Sequence, residues 1–257
     1  MKKILYHSIF LLIGLVYFTS CELDNIPAPD AQLTGKIIDD ATDSLVLQDL
    51  MSGSTLDFYE DKYGTKATKT ALYIRNDGTY TNNLMFSGFY TVITPNASWY
   101  PIDSLKGFSL KPGGNSLDLR VTPYLRVKNF RVENKAGVIE AFFTLEGGKS
   151  TSTFKTLTLC AHSDPRVAIG LRFTVQDKAI DATATTPAVA ATTPVFTASA
   201  TNGKGVVTAS EIKLTMNTKA PNDKVFITGR TYYFRVAALS SVSGAKENYS
   251  SAIAVVL

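Results

Sequence analysis

The 257 residues are 45% hydrophobic, 11% aromatic and 19% charged, which excludes the disordered class and supplies apolar side chains for a packed core. The formal charge of +4 includes Lys2 and Lys3 of the leader described next, so the remainder carries 24 basic and 22 acidic residues. That balance, without a Lys/Arg cluster, excludes a nucleic-acid surface.

At the start of the chain, Lys2 and Lys3 precede a nearly unbroken apolar run over residues 9–18 and the small pair Thr19-Ser20, the pattern of a secretory signal peptide over residues 1–20. The run is shorter than the roughly 20 apolar residues of a membrane span. Cys21 stands where the cut falls, and Phe18-Thr19-Ser20-Cys21 resembles the lipobox of bacterial lipoproteins. The resemblance implies cleavage before Cys21 and lipidation of its thiol. Each buried methylene of an acyl chain adds about 0.8 kcal/mol, so several chains make a stable anchor. Glu22 and Asp24 just behind the cysteine resemble the surface-export signal of Bacteroidota lipoproteins, which implies an outer-membrane protein facing the exterior. Residues 21–32 then form the lipid-anchored tether.

From residue 33 onward, short runs such as "LTGKIID", "TLDFYE", "TALYIRN", "GFYTVIT" and "NSLDLRV" alternate or cluster apolar and aromatic residues, as strands do. Between them stand Asn76-Asp77-Gly78, Thr94-Pro95-Asn96 and Lys111-Pro112-Gly113-Gly114, each with turn chemistry. No segment of the mature chain sustains a helical period. The class is all-β, and about 237 residues after the leader suggest two domains.

The first half, "LTGKIIDDAT" followed by "IRNDGTYTNNLMFSGFYTVITP", resembles the transthyretin-type (prealbumin-like, carboxypeptidase-regulatory-like) β-sandwich, with Gly35 inside its first strand and an Asp77-Gly78 hairpin. Gly78 supplies the positive φ that such a turn requires. Near the C-terminus, "FITGRTYYFRVAAL" resembles the F strand of a fibronectin type III, immunoglobulin-like sandwich. There a glycine precedes a tyrosine whose hydroxyl bonds back to the chain, and Gly229 and Tyr232 occupy those places. Period 2 puts Tyr232, Phe234, Val236 and Ala238 on the core face and Tyr233, Arg235 and Ala237 on the other. Pro123 separates the halves, placing domains at 33–123 and 124–257. The order of pieces resembles an uncharacterised family of two-domain Bacteroidota lipoproteins whose genes accompany SusC/SusD-type glycan-uptake pairs.

Catalytic chemistry finds little material. His7 leaves with the leader, so His162 is the one histidine of the mature chain, and neither a His-based metal site nor a hydrolase triad can be built from it. Cys160 and His162 are two apart on one strand face, but "LCAHSDP" carries no nucleophile motif, and a buried structural thiol is the expectation. The glycine-rich "KPGGN" and "LEGGKS" lack the strand–loop–helix setting of a phosphate loop and read as hairpins. No catalytic residue, metal or cofactor is expected, and the protein is read as a non-enzyme.

Binding is the better expectation. Sugar faces are apolar patches ringed by hydroxyls, so a site combines an exposed aromatic with polar neighbours. Trp99 and Tyr100, in the loop "PNASWYPID", are the first candidates, and packing onto a domain is the competing role for an aromatic before proline. Tyr59 and Tyr63 in "DFYEDKYG" are the second. Asp43-Ser44-Leu45 and Asp103-Ser104-Leu105 resemble the acceptor tripeptide of Bacteroidota O-glycosylation, making Ser44 and Ser104 candidate acceptors. The Ala/Thr-rich residues 179–201 are expected to be a long mobile loop. The reading is a non-catalytic surface lipoprotein that assists capture of a polysaccharide or oligosaccharide by a SusC/SusD-type system; the alternative is a structural spacer contacting that complex without binding glycan.

Overall fold

The structure is a computed structural model that describes residues 27–174, 195–197, 205–207, 210–219 and 222–257. Cys21 and most of the Ala/Thr-rich segment lie outside the described residues. The fold is all-β, two sandwiches in tandem.

The first contains β1 (Ala31–Asp39), β2 (Thr55–Glu60), β3 (Lys69–Tyr73), β4 (Thr79–Met85), β5 (Gly88–Ile93), β6 (Leu105–Leu110), β7 (Gly113–Ser116) and β8 (Leu119–Val121). One sheet runs β4-β1-β7, with β8 also pairing β1, and the other runs β3-β2-β5-β6. Alternation in β1 sends Leu33 and Ile37 into the core, where Leu56, Phe58, Leu72, Tyr90 and Val92 of the facing sheet meet them. Gly35 lies opposite Tyr80, and a Cβ there would stand 2.0 Å from the Leu117 carbonyl and 2.5 Å from the Tyr80 ring. The glycine makes room for the tyrosine, whose hydroxyl donates to Leu117 O. The Asp77-Gly78 turn does not close a hairpin as the sequence suggests: it carries the chain from β3 in one sheet to β4 in the other, with Gly78 at φ +83° and the Asp77 carboxylate accepting the Thr79 amide at 2.9 Å.

The second contains β9 (Leu125–Lys135), β10 (Val138–Gly147), β11 (Thr153–His162), β12 (Val195–Thr197), β13 (Gly205–Val206), β14 (Ile212–Asn217), β15 (Thr231–Ser240), β16 (Asn248–Tyr249) and β17 (Ile253–Val256). A β14-β10-β9 sheet packs on a sheet built around β11 and β15. Tyr232 bonds back as the fibronectin resemblance implies: its hydroxyl accepts the Ile227 amide at 2.8 Å and donates to Val225 O at 3.2 Å. Gly229 beside it takes φ +81°. Tyr232, Phe234, Val236 and Ala238 are all buried in this core.

Arg235, on the opposite face of β15, is only 2% exposed. It lies at the seam between the sandwiches and donates to Gln48 O at 3.1 Å and Asn76 O at 3.4 Å of the first, and to Ser250 O at 2.8 Å and Val167 O at 3.2 Å of the second. Its guanidinium also lies 4.3 Å from the Tyr249 ring centroid. Nearby, Asp49 accepts the Gly170 amide at 2.7 Å and the Tyr249 hydroxyl at 3.3 Å, Arg126 pairs with Asp39, and Asn248 Nδ2 donates to Ser98 O at 2.9 Å. The seam is therefore polar and bonded.

Acid weakens this seam. Burial pushes the Asp39 carboxyl up, but the Arg126 guanidinium, the Ala41 amide and the Thr42 hydroxyl outweigh it and hold it below the ordinary carboxylate range. For Asp49, burial is likewise overcome, by the Met51 and Gly170 amides and by Ser52. A carboxyl lowered on folding stabilises the fold above its unfolded pKa of about 3.9, and that contribution disappears as pH falls through the folded value. Urea midpoints should stay level from neutral pH down to about 5 and then fall. Asp49→Asn should lower the midpoint at neutral pH and flatten the acid limb; an unchanged acid limb would show that the seam carboxylates do not set it.

Candidate functional site

Two concavities stand out. The larger, about 470 Å³, lies at the seam and is lined by Leu45, Arg126, Lys128 and Tyr249 among others. Its charges already satisfy one another, Arg126 with Asp39 and Glu146, and Lys128 with Glu146. The smaller, about 380 Å³, opens between the two sheets at the end of the first sandwich away from the seam.

Local sequence builds that second cavity. After Glu60 the chain turns through a 3₁₀ segment, Asp61–Lys66, kinked at Gly64 with φ 54° and ψ −130°, a conformation that favours glycine. The Thr91 hydroxyl donates to Asp61 at 2.7 Å and pins the segment to β5. The kink leaves Tyr63 56% exposed at the rim, with Lys62 Nζ 4.8 Å from its ring centroid and 2.6 Å from Glu60. The opposite wall is the end of β4, where Leu84 is 74% and Phe86 37% exposed. Phe58 and Tyr90 form the floor, edge to face at 6.1 Å, and the Tyr90 hydroxyl donates to Phe86 O at 2.8 Å. Glu60, Lys66, Thr68 and Thr70 add polar groups. The cavity thus joins an exposed aromatic to hydroxyl, ammonium and carboxylate groups, the mixture a polyol with apolar ring faces needs. Glu60 is the one carboxylate of its lining among the described residues, whereas glycoside hydrolysis commonly takes two.

The sequence candidates separate. Tyr63 lines the cavity and Tyr59 stands half-buried next to it on the outer face of β2. Trp99 does not offer a platform: it is fully buried in the first core, joined by a bridge to Pro123. Tyr100 is also engaged, its hydroxyl 2.9 Å from Ser152 Oγ, its ring 4.6 Å from Tyr124 and covered by Lys149 Nζ at 4.2 Å. Packing is the role of both, Trp99 in the first core and Tyr100 at the seam. Ser44 and Ser104 are exposed. Cys160 is 1% exposed, and burial pushes its thiol up to about 12, the opposite of an activated nucleophile. The His162 ring lies 4.5 Å from Phe173 and its Nδ1 accepts the Asp164 amide at 2.9 Å. Sequence reading does not single out Leu84, Phe86 and Lys66; the one available signal is the apolar "LMF" just before Ser87-Gly88, where a connection between strands is normally polar.

The first described residues leave from this same end. Asp30 accepts the Ser87 amide and hydroxyl, each at 2.7 Å, and its carbonyl accepts the Gly113 amide at 2.8 Å. The cavity, the β4–β5 connection between the two sheets and the entry of the tether are neighbours.

Among solved structures, a Bacteroides uniformis protein described as a "putative carbohydrate binding protein" is similar at 30% identity and TM-score 0.76, over 89% of this chain and all of that one. A DUF3823 family protein of Parabacteroides merdae shares the fold at 18% identity and TM-score 0.66, over 89% of this chain and 100% of that one. Another from Bacteroides uniformis does so at 19% identity and TM-score 0.67, again over 89% and 100%. No curated protein matches this chain. Residues 31–122 match the N-terminal domain of the proteins of unknown function DUF3823. The matched residues span the first sandwich, so that part of the chain is a DUF3823 N-terminal domain.

Proposed function

We propose that this protein is a non-catalytic lipoprotein of the outer-membrane surface, anchored through Cys21, that captures a polysaccharide or oligosaccharide at the free end of its first sandwich for a SusC/SusD-type uptake system. The observation that carries the reading is the cavity rimmed by exposed Tyr63 and Phe86 with Glu60, Lys66 and two threonines in its lining. Likeness at 30% identity, over 89% of this chain, to the Bacteroides uniformis protein described as a "putative carbohydrate binding protein" supports the ligand class. The tether supports the setting. Nine residues from Cys21 to Asp30 span at most about 30 Å when extended, so an anchor at Cys21 keeps the cavity close to the membrane in which a transporter sits. The burial of Trp99 favours the rival reading, a spacer that contacts the complex without binding glycan.

The test begins with cell fractionation, in which the native chain should sediment with outer membranes and Cys21→Ala should be soluble. The soluble chain from Glu22 is then run by affinity electrophoresis through gels containing starch, xylan, mixed-linkage glucan, pectin or mucin glycans. Retardation by one of them, weakened about tenfold or more in Tyr63→Ala, is the expected result. Wild-type migration unaffected by every gel would turn the reading to the spacer.

A further inference from the structure

The outer face of the β3-β2-β5-β6 sheet is unused by the core and carries its own aromatic line. Period 2 and the strand registers set it out. Inward go Leu72, Leu56, Phe58, Tyr90 and Val92; outward go Tyr73 opposite Thr55, Lys69 opposite Tyr59, and Tyr59 opposite Thr91, with Phe89 opposite Ser109. Tyr73 is 64% and Phe89 61% exposed, so both rings offer a face to solvent. Tyr59 and Phe89 are diagonal neighbours about 7–8 Å apart. Tyr73 lies one strand over and four residues along, roughly 14 Å from Tyr59 and about 22 Å from Phe89.

The chemistry between these rings indicates what seats there. Lys69 sits among them, its ammonium 2.9 Å from the Asp57 carboxylate, with the lysine side chain 53% and the aspartate 3% exposed. Thr55 bonds the same carboxylate at 3.3 Å. A protein partner laid on this face would strip water from that ion pair at the centre of the contact, where interfaces are depleted of charge. An extended sugar chain meets no such cost, because its ring faces stack on separated aromatics while its hydroxyls replace water on Lys69 Nζ and Thr91 Oγ1. The face also runs into the cavity: Tyr59 is followed by Glu60 and the Asp61–Lys66 segment carrying Tyr63, and Thr91 holds that segment through Asp61.

We infer that Phe89, Tyr59 and Tyr73 form a second, extended glycan platform on the outer sheet face, continuous with the cavity, so that the ligand is a long polysaccharide chain rather than a mono- or disaccharide. This rests on the proposed glycan-capture reading.

The experiment compares wild type, Tyr63→Ala and Tyr73→Ala on the intact polysaccharide that retards the wild type and on the disaccharide obtained from it by enzymatic digestion, with affinities from electrophoresis and calorimetry. Tyr73→Ala should weaken binding of the polysaccharide about tenfold while leaving disaccharide affinity unchanged; Tyr63→Ala should weaken both. Tyr73 is on an edge strand and exposed, so the variant folds, which circular dichroism verifies. Equal binding of the polysaccharide by wild type and Tyr73→Ala, with Tyr63→Ala impaired, overturns the platform and leaves the cavity standing. Absence of any wild-type binding overturns the capture reading and the platform together. Loss of self-association in Tyr73→Ala by sedimentation, with glycan binding intact, would make the face a protein interface and also overturn the platform.

Discussion

Trp99→Ala is expected to destabilise the first sandwich by about 3–5 kcal/mol, the range for truncating a fully buried aromatic. Trp99 is 0% exposed and packs with Leu33, Ile37 and Val121 in one core, so alanine leaves a void that neighbouring strands cannot close. Its indole Nε1 has no hydrogen-bond partner among the described residues. Trp99→Phe, which discards that N–H and keeps most of the apolar volume, should therefore cost clearly less than alanine. Urea denaturation of both variants, followed by near-ultraviolet circular dichroism, checks the order. A Trp99→Ala protein as stable as wild type would mean that Trp99 is not part of the core. The pair also protects the glycan experiments, because loss of binding in Trp99→Ala reports a damaged fold and not a lost contact.

Removing the seam arginine should have a comparable effect of a different kind. Arg235→Ala leaves three buried carbonyls and the partly buried one of Asn76, two in each sandwich, without their charged donor. Each buried acceptor left unsatisfied costs about 1–3 kcal/mol. Burial has already moved the guanidinium down to about 10, so the folded state holds this cation against a desolvation penalty that its fork of donors and Tyr249 offset. Arg235→Lys should not rescue, because a single ammonium cannot reach carbonyls spread over Gln48, Asn76, Val167 and Ser250 as a planar fork does. The expected signature is two unfolding transitions in place of one, with an increased radius of gyration in solution scattering as the sandwiches swing apart. A single transition at the wild-type midpoint would show that Arg126–Asp39 and Asn248–Ser98 hold the seam by themselves.

These two residues mark where sequence reading stops. Period 2 along β15 placed Arg235 on the face opposite Phe234 and Val236, and it is there. Periodicity sorts side chains to faces, however, and a face away from one core is solvent only if nothing covers it. Here the first sandwich covers it. Trp99 is similar: a loop residue has no period, so its burial depends on a bridge to Pro123 and on strands far away in sequence. The Tyr232 corner and the Gly78 turn are legible because each is closed within a few residues, the first by bonds to Val225 and Ile227, the second by φ +83° at one glycine; that the turn joins two sheets and does not close a hairpin is not, because pairing partners lie far off in sequence. Tyr59 and Tyr63 are readable as a pair for the same local reason, whereas Leu84 and Phe86 join Tyr63 in the cavity only because β2 and β4 lie in sheets that face each other.

By itself, then, the sequence determined the all-β class, the strand faces and the turn chemistry, because those follow from alternation and from backbone preferences of single residues. Only the tertiary structure decided which aromatics reach solvent. Exposure is set by what lies across the sheet or the seam, and that is a relation between segments tens of residues apart.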